Sequence, residues 1–419
     1  MLARNWILPA AALVIPSLVP VGATIAAQQP PAAPSAQVDP ARILVAELDL
    51  ERYKSTIKAL TRFGDRREGT QRNRDAVDWI EAQLQSYGCT NTERITYDPP
   101  AGRGGGGGAA PPAAAAGRGG AAAGAAQPSR PGAGGKGFRG PTGVNNDPMR
   151  QPDERLRELN MGPVLPGPNT QVYCTKIGTT RPDEMYIIGA HMDGIGYGEA
   201  ANDDGSGTAI VMELARILHM PGVETERSIR FALWNGEEGG LRGSRAYVAQ
   251  RRELQGIESP AGSGRYPEPK WLGMIQHDMM MFDHGAPRAD GTVSREQRPE
   301  ADVNIEFAGN SVMAAESQAL AWAFRAANFT YATDYPATVG NRMQSTDSVP
   351  FQDYCPAISL RENERNEHIG FGWDPHWHQP TDMFDTFSDK DFLLGLNAAQ
   401  TTLAGIARLA GVRVASPAR

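Results

Sequence analysis

Between residues 185 and 277, segments with the pattern of buried strands alternate with segments with the pattern of amphipathic helices. The predicted elements are strand 185–190, helix 208–219, strand 228–234, helix 241–250 and strand 271–277. This alternation implies right-handed crossover connections between parallel strands. We therefore predict an α/β fold with a mainly parallel, mixed β-sheet sandwiched by helices. In such sheets, ligands bind where loops leave the carboxyl ends of the strands.

The rest of the 419-residue chain divides by composition. Residues 40–98 and 147–412 are predicted to form one catalytic domain, with a helix at 72–84 that stops before Gly88 and a covering helix at 391–409. Residues 99–146 are dominated by Gly, Ala and Pro, so almost nothing in them can be buried. They are predicted to be a disordered insertion in a surface loop. The alternative is a tether to a wall polymer or to another protein.

The N-terminus has the order of a secretory signal. Arg4 is the only early charge, an apolar run extends from Trp6 to about Val21, and small residues follow up to Ala27. The alternative is a membrane anchor, but the apolar run is broken by prolines and is too short to span a bilayer comfortably. We predict a signal peptide at 1–27, a flexible leader at 28–39, and a mature protein exported to the periplasm or the extracellular space without stable membrane association.

Charge and cysteine usage exclude two classes of function. The formal net charge of −7 offers no basic surface for nucleic acid, so a nucleic-acid-binding role is disfavoured. The three cysteines, Cys89, Cys174 and Cys355, are widely scattered. At most one disulfide can form, and no cysteine zinc cluster can be assembled from this spacing.

Candidate metal ligands follow the predicted strands. His191 and Asp193 come directly after strand 185–190, and side chains two apart in an extended chain point the same way. A carboxylate at Asp193 would accept a hydrogen bond from the second ring N–H of a metal-bound His191. Asp203 precedes helix 208–219, where it is a candidate bridge between two metals; the alternative is a helix cap in a flexible turn. Alone, each signal is weak.

Two adjacent carboxylates, Glu237 and Glu238, follow strand 228–234. Like charges so close raise one of the two pKa values unless positive charge lies nearby. A metal ion resolves this, because one Glu can bind it while the other handles the proton of a metal-activated water. The alternative is a pair of solvated glutamates in a loop.

Asp278 follows strand 271–277, and a late loop carries His376 and His378. Either imidazole could reach a metal if the loop is extended, and the sequence alone does not decide between them. Two histidines and three carboxylates suit a two-metal site in which one carboxylate bridges the ions. The combination predicts a metal-dependent hydrolase.

At these residues the chain resembles the co-catalytic two-zinc aminopeptidases of the bacterial leucyl aminopeptidase type, a branch that also contains glutamate carboxypeptidases and glutaminyl cyclases. The shared motifs are GAHMDG, ANDDGSGTA, NGEEGGLRGS, QHDMM, STDSVPF and WHQPTDMFD. The resemblance covers roughly residues 40–98 and 169–410. It implies a zinc-dependent exopeptidase fold, two Zn²⁺ ions per chain, and peptide substrates with a free N-terminus whose α-amine a zinc binds.

The resemblance also implies a role for each site residue. One zinc would be held by His191 and Asp278 and the other by Glu238 and His378, with Asp203 bridging the two. Glu237 would be the general base of a direct attack by water, and Asp193 would orient His191. The Asp203–Asp204 peptide bond would be cis. One departure is Ser348, which stands where relatives often carry a histidine after the Asp of the STDSVPF motif.

Three other functions compete with the aminopeptidase. A carboxypeptidase of the same branch would need a cation for the substrate carboxylate, and Arg342 or Arg361 could serve. A glutaminyl cyclase would bind one zinc and release ammonia. A non-catalytic binding protein on this scaffold is disfavoured, because every ligand position and the base are filled. The sequence leaves open the preferred N-terminal residue, the oligomeric state, and whether manganese or cobalt replaces zinc.

Overall fold

The computed structural model describes residues 39–99, 144–282, 303–343, 345–362, 374 and 376–415. The predicted signal peptide, the predicted leader up to residue 38 and residues 100–143 of the predicted insertion lie outside the described residues. Among the helices described, none is long and apolar enough to cross a membrane.

The strands include the three that the sequence predicts, each extended by one to five residues. In chain order they are β1 (Glu93–Tyr97), β2 (Asn169–Lys176), β3 (Arg181–His191), β4 (Val223–Glu224), β5 (Arg227–Trp234), β6 (Lys270–His277), β7 (Val303–Phe307), β8 (Ala337–Gly340), β9 (Ala357–Arg361) and β10 (Arg413–Val414).

The four predicted helices are also present, with ends shifted by three residues or fewer. In chain order the helices are α1 (Pro40–Val45), α2 (Leu50–Thr61), α3 (Gln71–Ser86), α4 (Glu154–Asn160), α5 (Gly205–Leu218), α6 (Arg242–Arg251), α7 (Ala314–Tyr331) and α8 (Asp389–Leu409). Gly88, the predicted stop of the first predicted helix, has a positive φ of 101°. A positive φ of this kind suits glycine after a helix end.

Eight of the strands form one sheet in the order β1-β2-β5-β3-β6-β9-β7-β8. The central strands β5, β3, β6 and β9 are parallel to one another, whereas β1, β2 and the β7–β9 pair are antiparallel. The predicted α/β fold with a mainly parallel, mixed sheet is therefore confirmed.

The sheet has an apolar layer on each face. On one face, Ile188, Phe231 and Ile275 pack with residues of α2, α3, α5, α7 and α8. On the other face, Trp234 and Trp271 pack with Tyr247 of α6 and with Phe351. Burying both faces explains why the central strands are almost continuously apolar. It also leaves the carboxyl ends of the parallel strands as the place where polar side chains gather.

Candidate metal centre

Parallel register brings three strand ends to one edge of the sheet. His191 ends β3 and pairs with Trp234 at the end of β5, while Ala190 pairs with His277 at the end of β6. Glu237 and Glu238 follow β5 within four residues, and Asp278 is the next residue after β6. These side chains meet because the strands that carry them run in the same direction.

Asp203 is positioned by the start of α5. The side chain of Asp204 caps this helix by accepting a hydrogen bond from the Gly207 N–H at 2.9 Å. A side chain at Gly207 has no room, since a Cβ there would lie 2.6 Å from Asp204 Oδ1. The other oxygen of Asp204 accepts from the His191 N–H at 3.1 Å, and Oδ1 also accepts from the Met279 N–H at 3.1 Å. Asp204 thus ties together the segments that carry His191, Asp203 and Asp278.

The Asp203–Asp204 peptide bond is cis, as the resemblance implied.

The loop that carries His378 is held by close backbone contacts. His378 has a positive φ of 56°. A Cβ at Gly196 would lie 2.4 Å from the His378 carbonyl, so only glycine fits at that position. The same carbonyl accepts a hydrogen bond from the Asn145 N–H at 3.0 Å. Asn145 is buried, although the sequence placed it at the end of the predicted insertion.

The two predicted ligand groups lie next to each other and share Asp203. His191, Asp203 and Asp278 form one group, and Asp203, Glu238 and His378 form the other. His191 Nε2 lies 3.2 Å from Asp203 Oδ1 and 3.9 Å from Asp278 Oδ1. His378 Nε2 lies 3.1 Å from Asp203 Oδ2 and 2.9 Å from Glu238 Oε2. Asp203 therefore faces each group with a different oxygen, which is the geometry of a bridging carboxylate.

The donor set and its burial suit a pair of divalent cations. The side chains are nearly removed from solvent, and the most exposed of them, His378, is 12% exposed. Glu238 Oε1 is buried and has no hydrogen-bond partner among the described residues, and Asp203 Oδ2 is buried with the His378 ring nitrogen 3.1 Å away. Buried carboxylate oxygens without donors are costly unless a cation lies beside them. Imidazole and carboxylate are the ligands of tetrahedral and two-metal zinc sites.

The electrostatics of the ligand set favour a bound cation. Burial lowers the pKa of His191, but the carboxylates of Asp204 and Asp203 outweigh it and raise that pKa well above the usual value. Glu238 raises the pKa of His378 in the same way, against burial. Burial raises the pKa of Glu238 to about 7, although His378 opposes this. The carboxylates thus favour positive charge at both imidazoles, a charge that a bound cation would supply.

Of the two histidines in the late loop, His378 joins a ligand group and His376 does not. His376 Nδ1 lies 2.9 Å from Thr381 Oγ1, and its ring packs against Phe282 and Phe387. The structure thus distinguishes His378 from His376 as the candidate ligand, a choice that the sequence alone left open.

Asp193 contacts His191 differently from what the sequence suggested. The backbone carbonyl of Asp193 lies 2.9 Å from His191 Nδ1, whereas its carboxylate Oδ1 lies 3.8 Å away. The carbonyl is thus the acceptor that fixes the ring so that Nε2 points at Asp203. The carboxylate instead accepts a hydrogen bond from the Glu237 N–H at 3.2 Å. Asp193 therefore connects His191 to the loop that carries Glu237.

Glu237 belongs to neither ligand group, but residues of both groups act on its pKa through their charges. Burial raises its pKa well above the usual value, and Glu238 and Asp278 add to the rise against the effect of His191. Its backbone carbonyl accepts hydrogen bonds from the N–H groups of Gly240 and Leu241, at 2.8 and 2.9 Å. Its raised pKa and the nearby ligand groups make Glu237 a candidate general base.

Three buried residues beside the site have roles that we did not predict from the sequence. Asp204 and Asp382 fix the backbone around Asp203, and Arg361 donates from Nη2 to Asp278 Oδ2 at 2.7 Å. Asp204 lies in the ANDDGSGTA motif and Asp382 in the WHQPTDMFD motif. Their place in these motifs was the sequence signal that could have identified them. Arg361 is the last residue of β9, and its partner could not be read from the sequence.

Comparison with known proteins gives matches to one family and to several curated relatives. The model of peptidase family M28 matches residues 172–401. Carboxypeptidase Q of Xenopus laevis is 31% identical over 105 residues, which cover 24% of this chain and 22% of the relative. Aminopeptidase YwaD of Bacillus subtilis is 43% identical over 74 residues, covering 18% of this chain and 16% of the relative. The chain thus aligns with less than a quarter of either relative's length.

A solved structure shares the fold. BSAP, a zinc aminopeptidase from Bacillus subtilis, superposes with a TM-score of 0.55 at 15% identity, covering 86% of this chain and 95% of that chain. The family match spans more than half of the 419 residues, running from β2 into α8 through every residue of both ligand groups. The chain therefore belongs to peptidase family M28.

Proposed function

We propose that this protein is an exported zinc aminopeptidase that hydrolyses the N-terminal peptide bond of peptides. The observation that carries the proposal is the position of Asp203, whose two carboxylate oxygens face two different imidazoles, at 3.2 and 3.1 Å. A carboxylate in this position can join two cations into one centre. The names of the aminopeptidase relatives and neighbours support the reaction class.

Two zinc ions, held by the His191 and the His378 groups, would supply a Lewis acid and lower the pKa of a water molecule. The residues of the chain supply the rest of the chemistry. Glu237 takes the proton of the attacking water and passes it to the leaving amine. It belongs to neither ligand group, and His191, Glu238 and Asp278 are near enough for their charges to act on its pKa. Asp193 keeps the Glu237 loop and the His191 ring in fixed relation.

A carboxypeptidase is the second candidate, because one curated relative carries that name. Of the two cations considered for a substrate carboxylate, Arg342 is exposed, and Arg361 is buried against Asp278. A glutaminyl cyclase is less well supported, because it would use one zinc and two ligand groups are present.

The three activities can be separated by one set of assays. The mature chain, purified from residue 28 onward, is assayed for bound metal by atomic emission. It is then given aminoacyl-nitroanilides, N-acylated peptides with a free C-terminus, and N-terminal glutaminyl peptides, before and after chelation. We expect two zinc ions per chain and chelator-sensitive release of free N-terminal amino acids. Release of C-terminal residues, release of ammonia, or full activity without metal would contradict the proposal.

A further inference from the structure

Glu237 and Glu238 lie in the loop that joins β5 to α6. We call residues 235–241 the glutamate loop. The Arg242 N–H, at the first residue of α6, donates to the Gly236 carbonyl at 3.0 Å and so closes this loop around the two glutamates. The position of the candidate base, Glu237, therefore depends on how the two ends of the glutamate loop are held.

Glu68 lies against the start of the glutamate loop. It comes from the connection between α2 and α3. A Cβ at Gly236 would lie 2.3 Å from Glu68 Oε1, so the carboxylate contacts the backbone of this residue. The Tyr97 hydroxyl lies 2.8 Å from Glu68 Oε1 and 2.8 Å from the Asn235 carbonyl, and it can donate its proton to either oxygen. A segment distant in sequence thus holds the two residues that precede Glu237.

The same carboxylate also holds the end of the glutamate loop. Glu68 Oε2 accepts a hydrogen bond from Arg242 Nη1. The Arg242 guanidinium in turn lies beside Gly239, where a Cβ would be 2.5 Å from Arg242 Cζ. Asn169 Nδ2 donates to Glu68 Oε1 at 3.0 Å, so Glu68 has donors at both oxygens. One charged group therefore links both ends of the loop.

The ion pair between Glu68 and Arg242 is largely shielded from solvent. The side chain of Glu68 is 9% exposed and that of Arg242 is 29% exposed. A hydrogen bond between charged partners is roughly twice as strong as a neutral one. Because burial reduces the screening that weakens surface ion pairs, this pair can fix a loop where an exposed pair would not.

The two glutamates of the loop differ in how else they are restrained. Glu238 belongs to a ligand group, and its Oε2 lies 2.9 Å from His378 Nε2. Glu237 belongs to neither ligand group. A shift of the loop is therefore expected to displace Glu237 more readily than Glu238, and to affect the chemical step before it affects metal binding.

We propose that Glu68 is a positioning residue for Glu237. Held by Arg242 and Tyr97, it keeps the glutamate loop in the position that places the base beside the attacking water. This inference rests on the proposed aminopeptidase function. Since Glu68 belongs to neither ligand group, its loss should appear in kcat, with KM and bound zinc close to the parent values.

The test compares Glu68→Gln with the parent on aminoacyl-nitroanilides, and the zinc content of each chain is measured. An amide accepts at one oxygen only, so either Arg242 or Asn169 would face an NH₂ group. We expect kcat to fall by about 10- to 100-fold, as for other residues that orient a catalytic group, while KM and zinc per chain are retained. Glu68→Asp, which keeps the charge, should recover part of the loss. Unchanged kcat in Glu68→Gln, or zinc lost in proportion to kcat, would overturn the proposal.

Tyr97→Phe tests the same loop with a smaller change, and Tyr173→Phe is its matched control. The Tyr173 hydroxyl donates to Glu93 Oε2 at 2.6 Å, so both variants remove a hydrogen bond between a tyrosine and a glutamate. Tyr97→Phe should lower kcat, and Tyr173→Phe should leave it unchanged. Equal losses in both variants would contradict a role specific to the glutamate loop.

A double variant separates this inference from the proposed function. If Glu68 acts through Glu237, adding Glu68→Gln to Glu237→Ala should cause no further loss of kcat. A further loss as large as that in the parent would overturn the positioning role and leave the base assignment intact. A Glu237→Ala chain with the activity of the parent, or a parent without aminopeptidase turnover, would overturn the proposed function instead.

Discussion

Asp382 Oδ2 accepts a hydrogen bond from the backbone N–H of Asp203 at 3.0 Å. The other carboxylate oxygen accepts from the Asn202 N–H at 2.8 Å. Asp382 lies four residues after His378, so its carboxylate joins the late loop to the residue that both ligand groups share. Burial raises the pKa of Asp382 well above its usual value, although the two N–H donors oppose this.

We expect Asp382→Asn to weaken metal binding. The amide has one acceptor oxygen, so an N–H group of residue 202 or 203 would face an NH₂ group. Loss of residues that orient metal ligands typically costs about 10- to 100-fold in metal affinity or activity. The measurement is a competition titration with a coloured chelator, together with kcat/KM.

The matched control for this change is Asp385→Asn. Asp385 lies in the same loop, and its side chain is 84% exposed. This variant should keep the affinity and activity of the parent. Equal losses in both variants would show that the loop is sensitive to any change of charge, rather than to the loss of the Asp382 hydrogen bonds.

Glu237→Ala should abolish turnover while leaving bound metal intact. Glu237 belongs to neither ligand group, and removal of a general base costs about 100- to 10,000-fold in rate. The neighbouring change Glu238→Ala should instead lower the metal content, because Glu238 Oε2 lies beside His378. Measuring kcat and zinc per chain for both variants checks the assignment, and an active Glu237→Ala enzyme would refute it.

Three of the five predicted ligand positions could be read from the sequence because they lie at or just after a strand end, and parallel strands bring their ends to one edge. His191, Glu238 and Asp278 all obey this rule. The choice of His378 over His376 needed the resemblance, since both lie in one loop. The fold was equally accessible, because the apolar runs of the central strands and the spacing of the helices are strong local signals.

The sequence did not predict contacts made by backbone groups or by residues distant along the chain. The Asp193 carbonyl, rather than its carboxylate, contacts the His191 ring, because the ring lies against the backbone two residues further along the chain. Arg361 reaches Asp278 across neighbouring strands, 83 residues apart. Helix α4 is seven residues long and half exposed, so its pattern was too short to detect.

Loss of the Cys89–Cys174 disulfide should destabilise the fold. The bond joins the chain just after α3 to β2 across 85 residues of sequence, and so restricts the unfolded chain. Replacing both cysteines with serine should lower the free energy of unfolding by about 2–5 kcal/mol. Denaturant unfolding measures this. A reductant should destabilise the parent protein and have no effect on the double variant; an unchanged parent would contradict the prediction.

Metal affinity should rise with pH. His191 and His378 have raised pKa values in the metal-free chain, because the neighbouring carboxylates outweigh burial. Both imidazoles must lose a proton to bind metal, so protons compete with zinc up to pH values above the usual histidine pKa of about 6.5. Chelator competition at a series of pH values should show this slope. His376→Gln, which removes an imidazole outside both groups, should leave it unchanged.

Protonation of His191 and His378 also determines whether the stability of the metal-free fold rises or falls with pH. A folded-state pKa above the unfolded value stabilises the metal-free fold fully below pH of about 6.5, and that contribution is lost as pH rises through the raised folded values. The metal-free protein should therefore lose this part of its stability with rising pH, while zinc binding strengthens. The difference in Tm between the zinc-loaded and metal-free chains should widen as pH increases. A difference that narrows or stays constant would mean that the two imidazoles are not protonated in the metal-free site, and that the carboxylates around Asp203 are neutralised in another way.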